Sequence, residues 1–213
     1  MDEMEPMQVN KSSNFLFNTI APVYGLFYEM QKRRYGAVID KASGAVDLAS
    51  WDTILDVGCG TGALCAVLAE KGLSVTGVDP ASNMLAVAKK HPESANIRYI
   101  HGNALEKLPF EDKSFDISIA SYVAHGMQEP ERRSLYAEMS RVTKNKVIIY
   151  DYNQTRSLRT SFIEWLERGD YFRFIKNTAA EMENCVSGMK TCFSEVQAVD
   201  VDTRASWYIC TPN

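Results

Sequence analysis

The sequence predicts an α/β fold built on a doubly wound, mostly parallel sheet. Three observations predict it. Short apolar runs of strand character alternate with helical patterns through the middle of the chain. The first of these runs, Trp51, Ile54, Leu55 and Val57, turns at once through Gly58-Cys59-Gly60-Thr61-Gly62 into a helix. The length of 213 residues, with 46% hydrophobic and 23% charged residues, suits one soluble globular domain over residues 1–213.

Residues 1–13 are acidic and polar, the pattern of a mobile terminus. From Asn14 the chain turns aromatic, with Phe15, Phe17, Tyr24, Phe27, Tyr28 and Tyr35. Pro22 is placed to open a helix, and Val23, Leu26, Phe27 and Met30 fall at helical spacing, so an amphipathic helix packed on the sheet is expected. After the glycine-rich turn, Leu64, Val67 and Leu68 share one face of a helix that Lys71-Gly72 closes. A second strand over residues 73–78 ends in Asp79. Ser82 caps the next helix, which runs to Lys90 with a basic last turn. His91 complements its dipole there, and Pro92 stops it. The third strand covers residues 97–100 and leads into His101-Gly102-Asn103-Ala104, then Leu108-Pro109-Phe110. The fourth covers residues 115–121.

Glu129-Pro130 opens a helix with Leu135, Met139 and Val142 at i, i+4 and i+7. Thr143-Lys144-Asn145 reads as a short turn, and residues 146–151 as the fifth strand. Within residues 154–190, Leu158, Phe162, Trp165 and Leu166 mark a helix that Gly169 ends; it either covers the sheet or helps to build a substrate pocket. Residues 193–201 and 206–210 form two further strands around Asp202-Thr203-Arg204.

The chemistry centres on the glycine turn. Glycines let the backbone come close to a ligand with no Cβ in the way, and the helix N-terminus offers free N–H groups. Read literally, Gly58 to Ala63 satisfies the dinucleotide pattern G-x-G-x-x-G/A. Asp56, two residues before the first glycine, serves a pyrophosphate poorly and an ammonium or sulfonium well. Asp79 lies 21 residues after Gly58 at the end of the second strand, where a carboxylate can accept both ribose hydroxyls.

Together these segments resemble the class I S-adenosylmethionine-dependent methyltransferases. The matching motifs are Asp56 to Gly62, Val78-Asp79-Pro80-Ala81-Ser82-Asn83-Met84-Leu85, Gly102-Asn103-Ala104 with Leu108-Pro109-Phe110, and Phe115-Asp116. Within that class the chain is similar to the menaquinone and ubiquinone biosynthesis methyltransferases, over roughly residues 15–152. The resemblance implies a Rossmann-like seven-stranded sheet, helices on both faces, an antiparallel C-terminal hairpin, and an N-terminal helical lid over residues 14–45. It implies S-adenosylmethionine as cofactor, held by Tyr24, Asp56, Gly58, Cys59, Gly60, Asp79, Pro80, Met84, Asn103, Ala104 and Ser121. Gly58 and Gly60 would lie against the methionine portion, Asp79 at the ribose, and Asn103 with Ala104 at the adenine. Ser121 would border the methyl group. Phe17-Asn18-Thr19-Ile20-Ala21-Pro22-Val23-Tyr24 matches the lid segment of such enzymes, although Gly25 stands where they carry Asp. An aromatic face beside a sulfonium is physically sound. Asn103 stands where relatives mostly carry an acid, and its amide oxygen can still accept from the adenine amino group.

His125, four residues beyond Ser121, is the candidate catalytic residue. Its ordinary pKa of about 6.5 lets it accept a proton near neutral pH. The alternative is that it braces the turn, as histidines at a similar place in relatives can. Arg33 or Arg34 could pair with the cofactor carboxylate or remain solvated. The expected partner is a small-molecule methyl acceptor, with the protein a monomer or homodimer. A net charge of −4 and the lack of a basic block speak against nucleic acid. No apolar run approaches ~20 residues, so no membrane span is expected. Five cysteines without a C-x-x-C pair suggest free thiols in a reducing cytoplasm. Asp151 and Asn153 resemble the magnesium ligands of catechol-type enzymes only loosely, and no metal is expected. An NAD-dependent oxidoreductase and a non-catalytic cofactor-binding regulatory module are the alternative functions.

Overall fold

The structure, a computed structural model, describes residues 11–153, 186–203 and 205–213. Residues 1–10 of the expected mobile terminus, residues 154–185 of the variable segment, and Arg204 lie outside the described residues. The chain runs through α1 (Lys11–Leu26), α2 (Tyr28–Ala42), β1 (Thr53–Val57), α3 (Ala63–Glu70), β2 (Ser74–Asp79), α4 (Ser82–Ala88), β3 (Arg98–His101), β4 (Phe115–Ser121), α5 (Glu129–Val142), β5 (Thr143–Tyr152), β6 (Phe193–Asp202) and β7 (Ala205–Pro212). Residues 186–192 are helical.

The seven strands form one sheet in the order β3-β2-β1-β4-β5-β7-β6. β1 pairs in parallel with β2 and β4, β2 with β3, and β4 with β5. β7 enters antiparallel between β5 and β6. The chain leaves β1 toward β2 and β3, then crosses back to β4 and β5. The reversal of strand order therefore lies between β1 and β4, where the carboxyl ends of the strands open a crevice.

Strand alternation divides the core into two layers. Ile54, Ile117, Ile119, Ile148, Tyr150, Trp207 and Ile209 face one side with Val38 and Ile39 of α2 and Leu64 and Leu68 of α3. Leu55, Val57, Ala120, Val147, Ile149 and Tyr208 face the other, against Leu135, Met139 and Val142 of α5. The last three are fully buried, as their spacing requires. α5 begins with a capping box between Gln128 and Glu131, and Pro130 sits in its first turn.

Several local expectations are corrected. Pro22 does not open a helix; it sits inside α1, and the break comes at Phe27, the residue before α2. Val23, Leu26 and Met30 do not pack on the sheet and are 42%, 82% and 48% exposed. The buried contacts of α1 are instead Ile20 and Ala21, with Tyr24 half-buried, against Ala81 and Met84 at the start of α4. Thr143-Lys144-Asn145 is no turn. Val142 ends α5 and β5 starts at the next residue, because Thr143 pairs with Phe115 and its hydroxyl bonds Ser118 Oγ at 2.7 Å. Ser82 is the first helical residue rather than a cap; Ala81 holds the cap position without a side-chain bond. His91 lies beyond the end of α4 and stacks on Tyr28, with ring centroids 3.4 Å apart, so packing places it.

Candidate functional site

The turn after β1 holds three glycines in the left-handed region: Gly58 at φ +74°, Gly60 at +52° and Gly62 at +79°. The reason for glycine is not the same at all three. A Cβ on Gly58 would lie 2.6 Å from Val123 Cγ2, and one on Gly62 would lie 2.3 Å from the Tyr99 hydroxyl. At Gly60 nothing among the described residues stands within 4 Å, so that position faces open space among them. Gly58 and Gly62 let the chain pack tightly, while Gly60 leaves room for a ligand to approach the backbone.

Around this turn the acids are buried. Asp56 is 1% exposed; its Oδ2 accepts the Cys65 thiol at 3.1 Å, and its Oδ1 has no partner among the described residues. Burial is the main cause that pushes its pKa up to about 7. Asp79, 7% exposed, accepts from Gly60 N at 2.8 Å through Oδ2 and from Ala81 N at 2.7 Å through Oδ1. Burial also raises its pKa, and the two backbone bonds oppose the shift. Asp79 therefore ties the glycine turn to the start of α4, and each oxygen keeps a second lone pair. Cys59 turns its thiol into the core beside Cys65, and burial raises its pKa to about 11. Only the Cys59 backbone belongs to the turn's surface.

On the far side of the turn, Asn103 does not keep its amide oxygen wholly for an adenine, because Oδ1 accepts from Leu105 N at 3.0 Å. Ala104 is buried, and Met84 lies beneath α1 in the cluster with Ile20, Ala21 and Ala81. The Pro80 carbonyl is 3.0 Å from His101 Nε2. α2 reaches the turn through Gln31, whose Oε1 accepts from the Thr61 hydroxyl at 3.1 Å.

Beyond the ends of β4 and β5 stands a group of aromatic side chains. Ser121 Oγ donates to the Tyr35 hydroxyl at 3.1 Å. The next residue, Tyr122, has φ +55°, an uncommon value for a non-glycine residue. Its hydroxyl donates to Tyr150 at 3.2 Å and accepts from Arg34, which also pairs with Asp202 at 3.0 Å. Arg34 is thus engaged with this group and with β6, though 56% exposed. The Tyr152 ring lies 5.1 Å from that of Tyr122 and 5.0 Å from that of His125. His125 is held by Asp151: the backbone N donates to Oδ2 at 3.0 Å, and Nδ1 stands 3.1 Å from Oδ1. The sequence did not point to Gln31 or Tyr122, and it offered Asp151 only as a loose match to a metal ligand, not as the partner of His125. For Tyr122 the position directly after a strand end was an available signal; the other two come into play only through tertiary contact. The described residues contain no group of three or more His, Cys, Asp or Glu placed to hold a metal ion.

Fold and site together define the class: a doubly wound sheet with a glycine turn and a following acid at the switch point, arranged for a nucleoside-type cofactor. Comparison with known proteins specifies it. A family described as "Methyltransferase domain" matches residues 54–146. The demethylmenaquinone methyltransferase of Bacillus licheniformis is 34% identical over 143 residues, covering 64% of this chain and 58% of its own length. The chloroplastic 2-phytyl-1,4-beta-naphthoquinone methyltransferase of Arabidopsis thaliana is 34% identical over 177 residues, covering 74% of this chain and 66% of its own. The chain thus spans about 60% of the length of such relatives. In fold it is similar to human N-acetylserotonin methyltransferase, solved in complex with S-adenosylmethionine (TM-score 0.65, 17% identity, 93% of this chain and 59% of the other). The chain belongs to the class I S-adenosylmethionine-dependent methyltransferases, near the menaquinone biosynthesis group.

S-adenosylmethionine is the cofactor of this class, and two features of the site fit it. The open space at Gly60 admits a ligand to the backbone. Asp56 Oδ1, without a partner among the described residues, is an acceptor buried beside the turn, and a cation nearby would offset the cost of its charge.

Proposed function

We propose that the protein transfers a methyl group from S-adenosylmethionine to a small-molecule acceptor bearing a planar ring of the quinol type. When bound, S-adenosylmethionine supplies a methyl group already activated by its sulfonium. What remains for the protein is to hold donor and acceptor in line and to exclude water. Gly58 and Gly60 receive the methionine portion, Asp79 the ribose hydroxyls, and Asn103 with Ala104 the adenine. Met84 and Pro80 border the nucleoside, and Tyr24 of α1 covers it as part of a lid. Ser121 lies at the methyl end. There Tyr122 and Tyr152 offer faces and edges against which a flat ring can pack. His125 takes a proton from the acceptor if one must leave.

The observation that carries this reading is the juxtaposition of the glycine turn with the aromatic group across the ends of β1 and β4. The quinone rings in the relatives' names support the choice of acceptor. Calorimetric titration with S-adenosylmethionine and, separately, with NADH tests the cofactor; heat from the first and none from the second is expected. Asp79→Ala should weaken S-adenosylmethionine binding about tenfold to a hundredfold, since a charge-assisted contact contributes about 1.5–3 kcal/mol. Unchanged affinity would remove Asp79 from the site. Labelled cofactor with a chemically reduced naphthoquinone lacking the ring methyl then tests the acceptor. Binding without label transfer to that ring would reject the quinol.

A further inference from the structure

We infer that Asp151 is a positioning residue that fixes His125 in the tautomer carrying its proton on Nδ1. The inference rests on the proposed role of His125 at the acceptor. One carboxylate holds this histidine at two points. Asp151 Oδ2 accepts from the His125 backbone N at 3.0 Å, and Oδ1 stands 3.1 Å from the ring Nδ1. Its own side chain is 3% exposed, and Oδ1 also accepts from the Tyr152 backbone N at 2.9 Å. The carboxylate is thereby anchored to β5 and does not swing with the ring. A carboxylate only accepts, so the nitrogen facing it is favoured as N–H, and the ring's lone pair goes to Nε2. The 3.1 Å approach of Nδ1 to Oδ1 is within ion-pair distance, and hydrogen bonds at catalytic histidines are often loosely aligned before a ligand binds.

Of the other titratable groups at the ring, Tyr152 of β5 and Tyr122 after β4 meet it edge-on, with centroids 5.0 and 6.4 Å away. Arg34 of α2 is engaged with the Tyr122 hydroxyl. Tyrosines stay neutral near pH 7. Among the described residues, Asp151 is thus the carboxylate placed to favour this tautomer and to stabilise an imidazolium, as a carboxylate does for a histidine that must accept and return a proton.

The test needs no acceptor. The chain has only three histidines, so long-range nitrogen–proton spectra of the full-length labelled protein resolve each ring, and His125→Gln assigns the third. The expected wild-type result is the Nδ1–H tautomer at His125. In Asp151→Asn the ring should shift toward the Nε2–H form, and its titration midpoint should fall by about one pH unit or more. An Nε2–H ring in the wild type overturns the inference without any variant. So does a tautomer and midpoint unchanged in Asp151→Asn, with His91 and His101 signals intact to report the fold. Calorimetry with S-adenosylmethionine on the same samples separates the two readings. Loss of cofactor binding in the wild type counts against the methyltransferase, whereas the wrong tautomer with intact binding counts against Asp151 alone.

Discussion

Asp56 carries its carboxylate where solvent hardly reaches, and burial sets its folded pKa at about 7, against about 3.9 for an aspartate in an unfolded chain. The folded value is the higher one. Its contribution to stability is therefore fully present below about pH 4 and is lost as pH rises through about 7. Asp56→Asn should gain stability relative to wild type between those limits, on the order of a few kcal/mol by pH 8. Urea denaturation at pH 4.5 and pH 8 measures it; a constant difference between the two proteins would rule out a raised pKa. The glycines separate in the same way. Gly60→Ala meets only the cost of a left-handed φ, about 1–2 kcal/mol, and should weaken the cofactor more than the fold. Gly62→Ala adds a collision with the Tyr99 hydroxyl and should destabilise by clearly more than Gly60→Ala. Equal losses from the two in chemical denaturation would show that Tyr99 moves aside at little cost.

At the scale of elements, α2 links the glycine turn to the rest of the fold. Lys32 bridges Glu70 at the end of α3 and Glu93 after α4, with its side chain only 17% exposed. Lys32→Ala should cost about 1 kcal/mol, and added salt should shrink the difference. Thermal melts at low and high ionic strength check this. α1 is joined more loosely, through Ile20, Ala21 and the two bonds between Asn18 and Asn83. Its exposed Val23 and Leu26 show why helical spacing alone misjudged it: periodicity marks an apolar stripe but not whether anything covers it. If α1 closes over bound cofactor, amide exchange over residues 17–28 should slow when S-adenosylmethionine is added. Equal exchange with and without ligand would make α1 plain packing.

At the scale of the molecule, the antiparallel strands complete the core. Trp207, fully buried on β7, lies in the same apolar layer as Ile54 of β1 and Leu68 of α3. Trp207→Ala should cost about 3–5 kcal/mol, and fluorescence and circular dichroism should report a single shifted transition if the hairpin unfolds with the sheet. The sequence by itself determined the alternation of strand and helix, the glycine turn, the acids Asp56 and Asp79, and hence the class of protein. These are local signals, since turn chemistry and strand burial act between near neighbours in the chain. It could not determine that Val142 passes into β5 without a turn, that His91 leaves its helix to stack on Tyr28, or that Asn103 spends its oxygen on Leu105. Only the tertiary structure decided which groups meet beyond the ends of β4 and β5. Asp151 and His125 are 26 residues apart, and Arg34 and Asp202 are 168 apart. Such pairs form because the sheet brings strand ends together, and no spacing within one segment encodes that.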